Sequence, residues 1–501
     1  MPSLSAPPSV TTKTVPRPAP DGMGNGLFAT EAIKVGEDVL HAMTPFVAVL
    51  DSPRLDDTCA ACFGKRQMEG TVDLKACTGC RVVKYCDRTC QLKDWKFSHS
   101  KECPIYQSLK GRVLPNNARA ILRIVLRANH GKYNAQELEL FSSLEMHMDK
   151  IQENKEQQER ITLTSKSVKE YANVPMSVED IAQYAARLEV NSFNLTTAMY
   201  DRIGLYMHPY AALINHSCDY NATVGFDGEE LYVKAVKPIN KNEQIFISYI
   251  DTTTPHKVRR NELSERYFFQ CLCPKCSKGL DTAEDRFLES YSFESADSET
   301  ALETAERQAL ELMKKASESD SNPAESIKDL ESALHILHAT SAWPITRQPY
   351  ASIRDQLILS CLSASRFSEA FIHAAVRYLR IDTVLYSPAH PVRQVHAWVL
   401  AKLAIYLSQS FETHPDDPVR LEEYQLNFHF ILWYVLADLA ARQMESCTVP
   451  SFKKLVAGNF AQVNREFVGQ GLDPTQLPAQ TLVRQAWGKL EKVVQVVLDK
   501  E

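Results

Sequence analysis

The chain has 501 residues, of which 44% are hydrophobic and 24% charged, and its formal net charge is −6. This length allows several domains with cores of their own, and the mild negative charge excludes a polycation that binds nucleic acid through overall charge. No stretch approaches the about 20 apolar residues needed to cross a bilayer, and residues 1–20 lack the apolar run of a secretory signal. We therefore expect a soluble protein of the cytosol or nucleus.

In chain order, residues 1–20 are rich in Ser, Thr and Pro and are predicted to form a disordered tail. Short strands are predicted in residues 21–58, where a Gly-rich turn precedes LFAT, VLHAM and PFVAVL. Apolar residues recur at helical spacing within 104–188, around a polar run, KIQENKEQQER, interpreted as a solvated helix face or a loop. Strand patterns return in residues 189–250, notably LYVKAVKPI and QIFISYI.

The last part of the chain, residues 281–501, has an almost wholly helical pattern. Its amphipathic stretches have similar lengths and are joined by short turns rich in Pro, Ser or Asp. Such a pattern is typical of helices stacked in antiparallel pairs, although no strict 34-residue repeat is visible. We predict an all-α C-terminal domain.

The thirteen cysteines are mostly clustered at metal-ligand spacing. The first cluster contains two CxxC pairs, one Cys-x3-Cys pair and one His-x3-Cys pair, and eight such ligands make two closed tetrahedral zinc sites. Closed sites leave no position for substrate, so these zinc ions are predicted to be structural. Disulfides are disfavoured in a reducing compartment. The pairs are Cys59 and Cys62, Cys77 and Cys80, Cys86 and Cys90, and His99 and Cys103.

A second cluster, Cys271-x-Cys273-x2-Cys276, offers three thiolates where zinc prefers four ligands. We predict Cys218 as the fourth ligand, although it is distant in sequence. The two remaining cysteines, Cys361 and Cys447, are predicted to be inert thiols of the helical region.

The sequence around the first cluster, including CQLKDWKFSHSKEC, resembles a MYND zinc module. Ligand pairs interleave in that family, which implies one zinc site of Cys59, Cys62, Cys86 and Cys90 and another of Cys77, Cys80, His99 and Cys103. The resemblance also implies binding of proteins, often of proline-containing peptides. The segment is mildly basic, so DNA contact is an alternative, but a solvated surface is favoured because no base-reading motif accompanies the charge.

Five further motifs occur in the order GMGNGLFA, RLEVNSF, LINHSC, ISYID and RYFFQCLCPKC. Together with the zinc clusters they resemble a SET-domain lysine methyltransferase of the SET-and-MYND family, over about residues 20–280. The implied fold class is α+β: a split, β-rich SET fold with an inserted MYND module, a post-SET zinc site and an all-α, tetratricopeptide-like C-terminal domain. The predicted domains are the tail 1–20, the first part of SET 21–58, MYND 59–103, a helical SET insert 104–188, the SET core 189–250, post-SET 251–280 and the C-terminal domain 281–501.

The resemblance implies S-adenosylmethionine as the cofactor, beside three structural zinc ions. Glycines at 24 and 26 allow the backbone to approach a ligand closely. Tyr249 is implied as the principal catalytic residue and Tyr267 as a second one. Tyr267 and Phe269 are also implied as walls of an apolar lysine channel, where desolvation lowers the pKa of a lysine amine. Taken singly, each of these residues fits an ordinary structural role. The implied cofactor contacts are Met23, Gly24, Asn25, Gly26, Glu189, Asn191, Leu213, Asn215, His216, Tyr249 and Phe269.

The leading hypothesis is therefore a protein-lysine methyltransferase acting on a histone or a non-histone protein. A scaffold that recruits partners through the MYND module and the helical domain, with a catalytically weak SET fold, is the alternative. A third hypothesis makes the C-terminal domain an autoinhibitory lid over the lysine channel. We expect a monomer of the cytoplasm and nucleus without membrane contact.

Overall fold

The structure is a computed structural model that describes residues 5–20, 22–282, 284–285, 296–318, 322–341, 343–409, 421–473 and 476–501. It contains two compact units. Unit 1 comprises Met1–Tyr249, Glu262–Cys271 and Cys447–Leu455, and unit 2 comprises Ile250–Asn261, Leu272–Ser446 and Val456–Glu501. None of the helices in these described ranges is long and apolar enough to span a membrane.

All strands within the described residues belong to unit 1. They are β1 Val10–Thr12, β2 Thr14–Pro18, β3 Asn25–Ala29, β4 Asp38–Ala42, β5 Val47–Leu50, β6 Lys75–Ala76, β7 Lys84–Tyr85, β8 Phe193–Thr196, β9 Arg202–Met207, β10 Asn215–His216, β11 Ala222–Asp227, β12 Glu230–Ala235 and β13 Phe246–Ile247.

The α-helices are distributed over both units. They are α1 Arg88–Asp94, α2 Ser100–Ser108, α3 Asn116–Asn129, α4 Ala135–Ser143, α5 Met148–Glu153, α6 Lys155–Ala172, α7 Val178–Asn191, α8 His256–Tyr267, α9 Ala296–Glu318, α10 Pro323–Ala339, α11 Tyr350–Ser363, α12 Phe367–Val376, α13 Asp382–Leu385, α14 Pro391–Gln409, α15 Phe428–Ala441, α16 Pro450–Gly469 and α17 Leu477–Lys500. Short 3-10 helices span Ser52–Leu55, Lys65–Glu69, Ala211–Leu213, Cys276–Lys278 and Leu421–Tyr424, and π-helical turns span Trp95–His99 and Arg377–Ile381.

Unit 1 is built from small sheets whose strands come from distant parts of the chain. The largest has the order β1-β4-β12-β11, a second has the order β5-β9-β8, and β2 pairs with β3. The short parallel pair of β10 and β13 brings Asn215 opposite Phe246 and His216 opposite Ile247. This pair places the LINHSC and ISYID motifs side by side.

The prediction of a disordered tail over residues 1–20 is wrong for most of its length. Strand β1 pairs with β4, and β2 pairs with β3, although the first four residues lie outside the described residues. The β-branched residues of VTTKTV favour strands. Pro16 and Pro18 are tolerated because β2 has only one neighbouring strand.

The polar run KIQENKEQQER falls in α5 and α6 of unit 1. Helix α6 packs on α3, and α3 packs against β5 and β9. Helix α7 begins with a capping box, in which the Ser177 hydroxyl accepts from the Asp180 backbone N–H and the Asp180 carboxylate accepts from the Ser177 N–H. It ends at Asn191, directly before β8. The helix therefore positions the NSF segment at the start of a strand.

Buried charges fix the cysteine-rich segment to the rest of unit 1. The guanidinium of Arg123 on α3 is 6% exposed, and its Nε and Nη2 donate to the two carboxylate oxygens of Glu102 at 2.6 and 2.8 Å. Its Nη1 donates to the Ala48 carbonyl of β5 at 2.9 Å, and Asp94 lies 3.4 Å away. Because all of these groups are buried, they need one another as partners.

Among its described residues, unit 2 contains helices joined by turns and no strand. The predicted C-terminal domain, 281–501, is not wholly contained in it, because Cys447–Leu455 belongs to unit 1. There the Cys447 thiol donates to the Ala235 carbonyl at 3.1 Å, and the hydroxyl and backbone N–H of Ser451 donate to Asp227 at 2.6 and 3.1 Å. Cys361 lies in the core of unit 2, as predicted, with no exposed surface.

Candidate functional site

The first cysteine cluster forms two separate groups of four ligand atoms, each within 4.8 Å of one another. Zinc–sulfur bonds of about 2.3 Å place tetrahedral ligands about 3.8 Å apart. The sulfurs of Cys62 and Cys86 lie 3.6 Å apart and those of Cys77 and Cys103 lie 3.8 Å apart, whereas a disulfide would bring them to about 2.05 Å. The donor sets fit zinc, and they are the interleaved sets Cys59, Cys62, Cys86, Cys90 and Cys77, Cys80, His99, Cys103.

The histidine of the second group is oriented by a buried carboxylate. His99 Nε2 lies 3.4 Å from the Cys77 sulfur and 3.6 Å from the Cys80 sulfur, so this nitrogen faces the metal position. Nδ1, on the other side of the ring, faces Glu102 Oε2 at 3.6 Å. Such an outer carboxylate fixes the tautomer and raises the basicity of a zinc-binding imidazole. The ion pair of Glu102 with Arg123 therefore supports this zinc site as well as the packing of α3.

The third group, Cys218, Cys271, Cys273 and Cys276, also places four sulfurs within 4.8 Å of one another. Cys271, Cys273 and Cys276 alone would leave a zinc ion one ligand short, and Cys218 supplies the fourth thiol of the group. Its sulfur lies 3.3 Å from His216 Nε2, and His216 Nδ1 accepts the backbone N–H of Tyr249 at 3.0 Å. Because Nδ1 accepts, Nε2 carries the proton that is directed at the sulfur. One imidazole therefore joins a metal ligand to the backbone of Tyr249.

We expect purified protein to contain three zinc ions per chain, measured by inductively coupled plasma mass spectrometry. Cys103→Ser removes one ligand of a closed site and should lower the content to two. The matched control is Cys361→Ala, which removes a fully buried thiol outside the three groups and should leave three. Two zinc ions in the unaltered chain, or equal losses in both variants, would contradict this assignment.

Four aromatic side chains form a wall next to this third group. The ring centroids of Tyr249 and Tyr267 are 5.0 Å apart, those of His216 and Tyr249 5.3 Å, and those of His216 and Phe269 5.9 Å. Tyr267 is the last residue of α8, and the positive φ of 63° at Phe268 turns the chain so that Phe269 joins the wall. The three predicted aromatic residues are therefore brought together.

Both tyrosine hydroxyls of this wall stay protonated near neutral pH. Burial, followed by the neighbouring Tyr267 hydroxyl, raises the pKa of Tyr249, and burial raises the pKa of Tyr267. The Tyr249 hydroxyl donates to the Ile214 carbonyl at 2.6 Å. The hydroxyl proton is thus used in this hydrogen bond, while the lone pairs of the oxygen can accept a hydrogen bond from a bound amine.

The glycine-rich turn lies beside the Asn215 side chain. Asn215 Nδ2 donates to the Asn25 carbonyl at 3.1 Å, and a Cβ on Gly26 would lie 3.0 Å from the same nitrogen. Gly24 adopts a φ of 70°, a conformation that favours glycine. Met23 N donates to the Pro20 carbonyl at 3.2 Å, which closes the turn. Residues 23–26 and Asn215 therefore form one local group.

Three other predicted cofactor contacts have different surroundings. The Glu189 carboxylate pairs with Arg160, and both line a cleft of about 360 Å³. Asn191 Nδ2 donates to the Glu145 and Arg187 carbonyls, both at 2.8 Å. Leu213 is buried in the 3-10 helix Ala211–Leu213. The side-chain contacts of Glu189 and Asn191 are made with the helical insert, and the role of all three residues towards a cofactor stays a prediction.

Comparison with known proteins agrees with this arrangement. The family model described as SET domain matches residues 24–250. "SET domain and MYND-type zinc finger protein 6" of Schizosaccharomyces pombe is 30% identical over 262 residues, 52% of this chain and 51% of that protein. Residues 24–250 thus match a SET domain, and the chain is similar to a SET-and-MYND protein.

Two further relatives are similar to this chain over different lengths. "Histone-lysine N-methyltransferase SMYD3" of Mus musculus is 27% identical over 395 residues, 76% of this chain and 86% of that protein. "N-lysine methyltransferase SMYD2-A" of Danio rerio is 29% identical over 270 residues, 52% of this chain and 60% of that protein. The chain thus spans about half the length of the Schizosaccharomyces pombe relative and most of the mouse one.

Two features of unit 1 were not found from the sequence. Gln244 has a buried side chain beside Gly26, yet no motif marks it, since it precedes ISYID in an ordinary strand pattern. The Arg123–Glu102 pair did leave a signal, because Arg119, Arg123 and Arg127 recur every four residues among the apolar residues of α3. Charged residues on the apolar face of a helix indicate buried partners.

Proposed function

We propose that this chain is a SET-and-MYND protein and an S-adenosylmethionine-dependent protein-lysine N-methyltransferase. The observation that carries the proposal is the aromatic wall of Tyr249, Tyr267, His216 and Phe269, with the Tyr249 hydroxyl fixed on the Ile214 carbonyl. The glycine-rich turn, bonded to Asn215, lies in the same unit as this wall, which supports a site for both cofactor and amine. The printed names of the mouse and zebrafish relatives, both lysine methyltransferases, support the reaction class.

When bound, S-adenosylmethionine supplies an electrophilic methyl group, and its transfer to a lysine amine leaves S-adenosylhomocysteine. The aromatic wall would take up the aliphatic stem of the lysine and exclude water, which lowers the pKa of the amine and favours its neutral, nucleophilic form. The Tyr249 oxygen would accept a hydrogen bond from that amine and orient its lone pair. No side chain needs to act as a strong base, and the raised pKa values keep both phenols neutral.

The glycine-rich turn and Asn215 would hold the cofactor. Asn215 Nδ2 uses one proton on the Asn25 carbonyl and retains a second for a ligand. Gly26 keeps its backbone open to close approach, since a side chain there would meet Asn215 and Gln244. His216 contributes through its position, because its two ring nitrogens are occupied by the Tyr249 N–H and the Cys218 sulfur.

The substrate is proposed to be a histone tail or a non-histone protein, and the MYND module is proposed to bind proline-containing peptides. Contact with DNA remains the less favoured use of its basic surface. We further propose that the protein works as a monomer in the cytoplasm and nucleus, and that its helical C-terminal region is tetratricopeptide-like. These proposals come from the family resemblance and the composition.

The experiment combines cofactor binding with transfer. Isothermal titration calorimetry of zinc-loaded protein should give one S-adenosylmethionine site, and labelled methyl groups should pass from the cofactor to histones or to proteins of a cell extract. ATP, which shares the adenosine but lacks the amino-acid end, is the control ligand. Cofactor binding without transfer, together with normal capture of proline-containing peptides, would favour the scaffold alternative. Absence of cofactor binding would overturn the proposal.

A further inference from the structure

A buried amide without a partner lies beneath the glycine-rich turn. The Gln244 side chain is 7% exposed, and its Nε2 has no hydrogen-bond partner among the residues that the structure describes. Buried amide nitrogens are otherwise almost always paired, because leaving one unpaired costs its full desolvation penalty. An unpaired donor at a ligand site indicates that the ligand supplies the acceptor.

The position of Gln244 is set by its backbone on both sides. The Asn221 amide donates to the Gln244 carbonyl at 2.9 Å, and Asn221 Oδ1 accepts the Phe246 N–H at 2.8 Å. Ile245 N donates to the Leu27 carbonyl at 2.8 Å, which ties this segment to β3. The side chain therefore has little freedom to find another acceptor within the protein.

The side chain of Gln244 is directed at the turn itself. A Cβ on Gly26 would lie 2.5 Å from Gln244 Nε2 and 3.0 Å from Asn215 Nδ2, so two amide nitrogens flank this glycine. Arg17 pairs with Gly26 in the register of β2 and β3, and residues paired in this way project to the same face. Its guanidinium donates to Asn242 Oδ1 at 3.1 Å. Two donors and one cation on a single face favour an anionic group.

We propose that the Gln244 carboxamide is a cofactor-binding residue that donates, beside Asn215, to the carboxylate of the amino-acid end of S-adenosylmethionine. This inference rests on the proposed function and adds to it a residue that hydrogen-bonds to that carboxylate. Of the acceptors on the cofactor, the carboxylate is the only negatively charged group, and hydrogen bonds to charged groups are the stronger ones.

The test replaces Gln244 by methionine, which has nearly the same shape but no donor. Gln244→Met should weaken S-adenosylmethionine binding at least about tenfold in calorimetry, the loss expected for one hydrogen bond to a charged group. Decarboxylated S-adenosylmethionine is the second probe, and its affinity should change by less than about twofold, because the acceptor is missing. Without cofactor, the variant should unfold at the same or a higher temperature, because an unpaired buried donor has been removed.

The matched control is Gln348→Met in unit 2. Gln348 is equally buried, at 8% exposure, but its Nε2 donates to Thr253 Oγ1 and its Oε1 accepts from Ser352. This variant should lower the unfolding temperature of the cofactor-free protein and leave cofactor affinity unchanged.

Each other outcome has a defined meaning. Unchanged affinity in Gln244→Met, equal losses for both probes, or a lower unfolding temperature without cofactor would overturn the role of Gln244 and leave the proposed function standing. If the unaltered protein binds neither probe, the proposed function fails, and the inference fails with it.

Discussion

Replacing Tyr249 by phenylalanine is expected to lower kcat for lysine methylation about a hundredfold, the effect of removing one oriented hydrogen-bonding group from a reacting centre. The hydroxyl is held by the Ile214 carbonyl at 2.6 Å and lies in the aromatic wall beside Tyr267. Cofactor affinity should change little, since the backbone contact of Tyr249 with His216 is retained. Single-turnover kinetics with a fixed protein substrate, together with calorimetry, would measure both quantities.

The control for this variant is Tyr206→Phe. Tyr206 is fully buried in the same unit, and its hydroxyl has no hydrogen-bond partner among the described residues. Removing that hydroxyl should leave kcat unchanged. A Tyr249→Phe enzyme as active as the unaltered chain would exclude a catalytic hydroxyl, and equal losses in both variants would indicate a general effect on folding.

Replacing Arg123 by methionine is expected to lower the free energy of unfolding by about 3–5 kcal/mol, the usual result of breaking a buried ion pair from one side. Glu102 and Asp94 are buried, at 0% and 4% exposure, and would keep charges without a cationic partner. The Ala48 carbonyl and the packing of α3 would lose a partner as well. Urea unfolding followed by circular dichroism would measure the change.

Two variants make this stability prediction specific. Arg202→Met breaks an exposed pair with Asp51 and should cost about 0.5 kcal/mol, because water screens such pairs. The double variant Arg123→Met, Glu102→Gln should recover part of the lost free energy of unfolding, because the Glu102 position no longer carries an unpaired buried charge. Similar losses for Arg123→Met and Arg202→Met would show that the buried network contributes little.

Local patterns predicted much of the fold and of the metal sites. Zinc ligands of the first cluster occur in pairs with two or three residues between them, so the spacing of Cys59, Cys62 and their neighbours carries most of the geometry. The interleaving of the pairs and the choice of Cys218 came from the resemblance and from ligand counting, and the groups in the structure agree with both. The ordered SET motifs carried the resemblance, and the resemblance implied that their residues share one site.

Contacts between residues far apart in sequence could not be predicted in this way. The pairing of β1 with β4 depends on a strand that begins almost thirty residues later, so a Pro-rich tail looked disordered. Cys447–Leu455 joins unit 1 through hydrogen bonds to Ala235 and Asp227, which no periodicity reveals. The missing partner of Gln244 is visible only once its surroundings are known.

The third zinc group lies next to the residues proposed to bind the lysine amine. Cys218 contacts His216, and His216 accepts the backbone N–H of Tyr249, so this site connects a structural metal to the residue proposed to orient the amine. Outer contacts of this kind orient groups in metal sites. In the proposed function the zinc ions are structural, and the organic cofactor would supply the methyl group.

The most direct test of a lysine methyltransferase is to incubate zinc-loaded protein with a cell extract and S-adenosylmethionine carrying a deuterated methyl group, and to locate the label by mass spectrometry. We expect labelled methyl groups on lysine side-chain nitrogens of particular proteins, and their loss with Tyr249→Phe. A protein that holds three zinc ions and binds the cofactor, yet labels no lysine in the extract, would contradict the account.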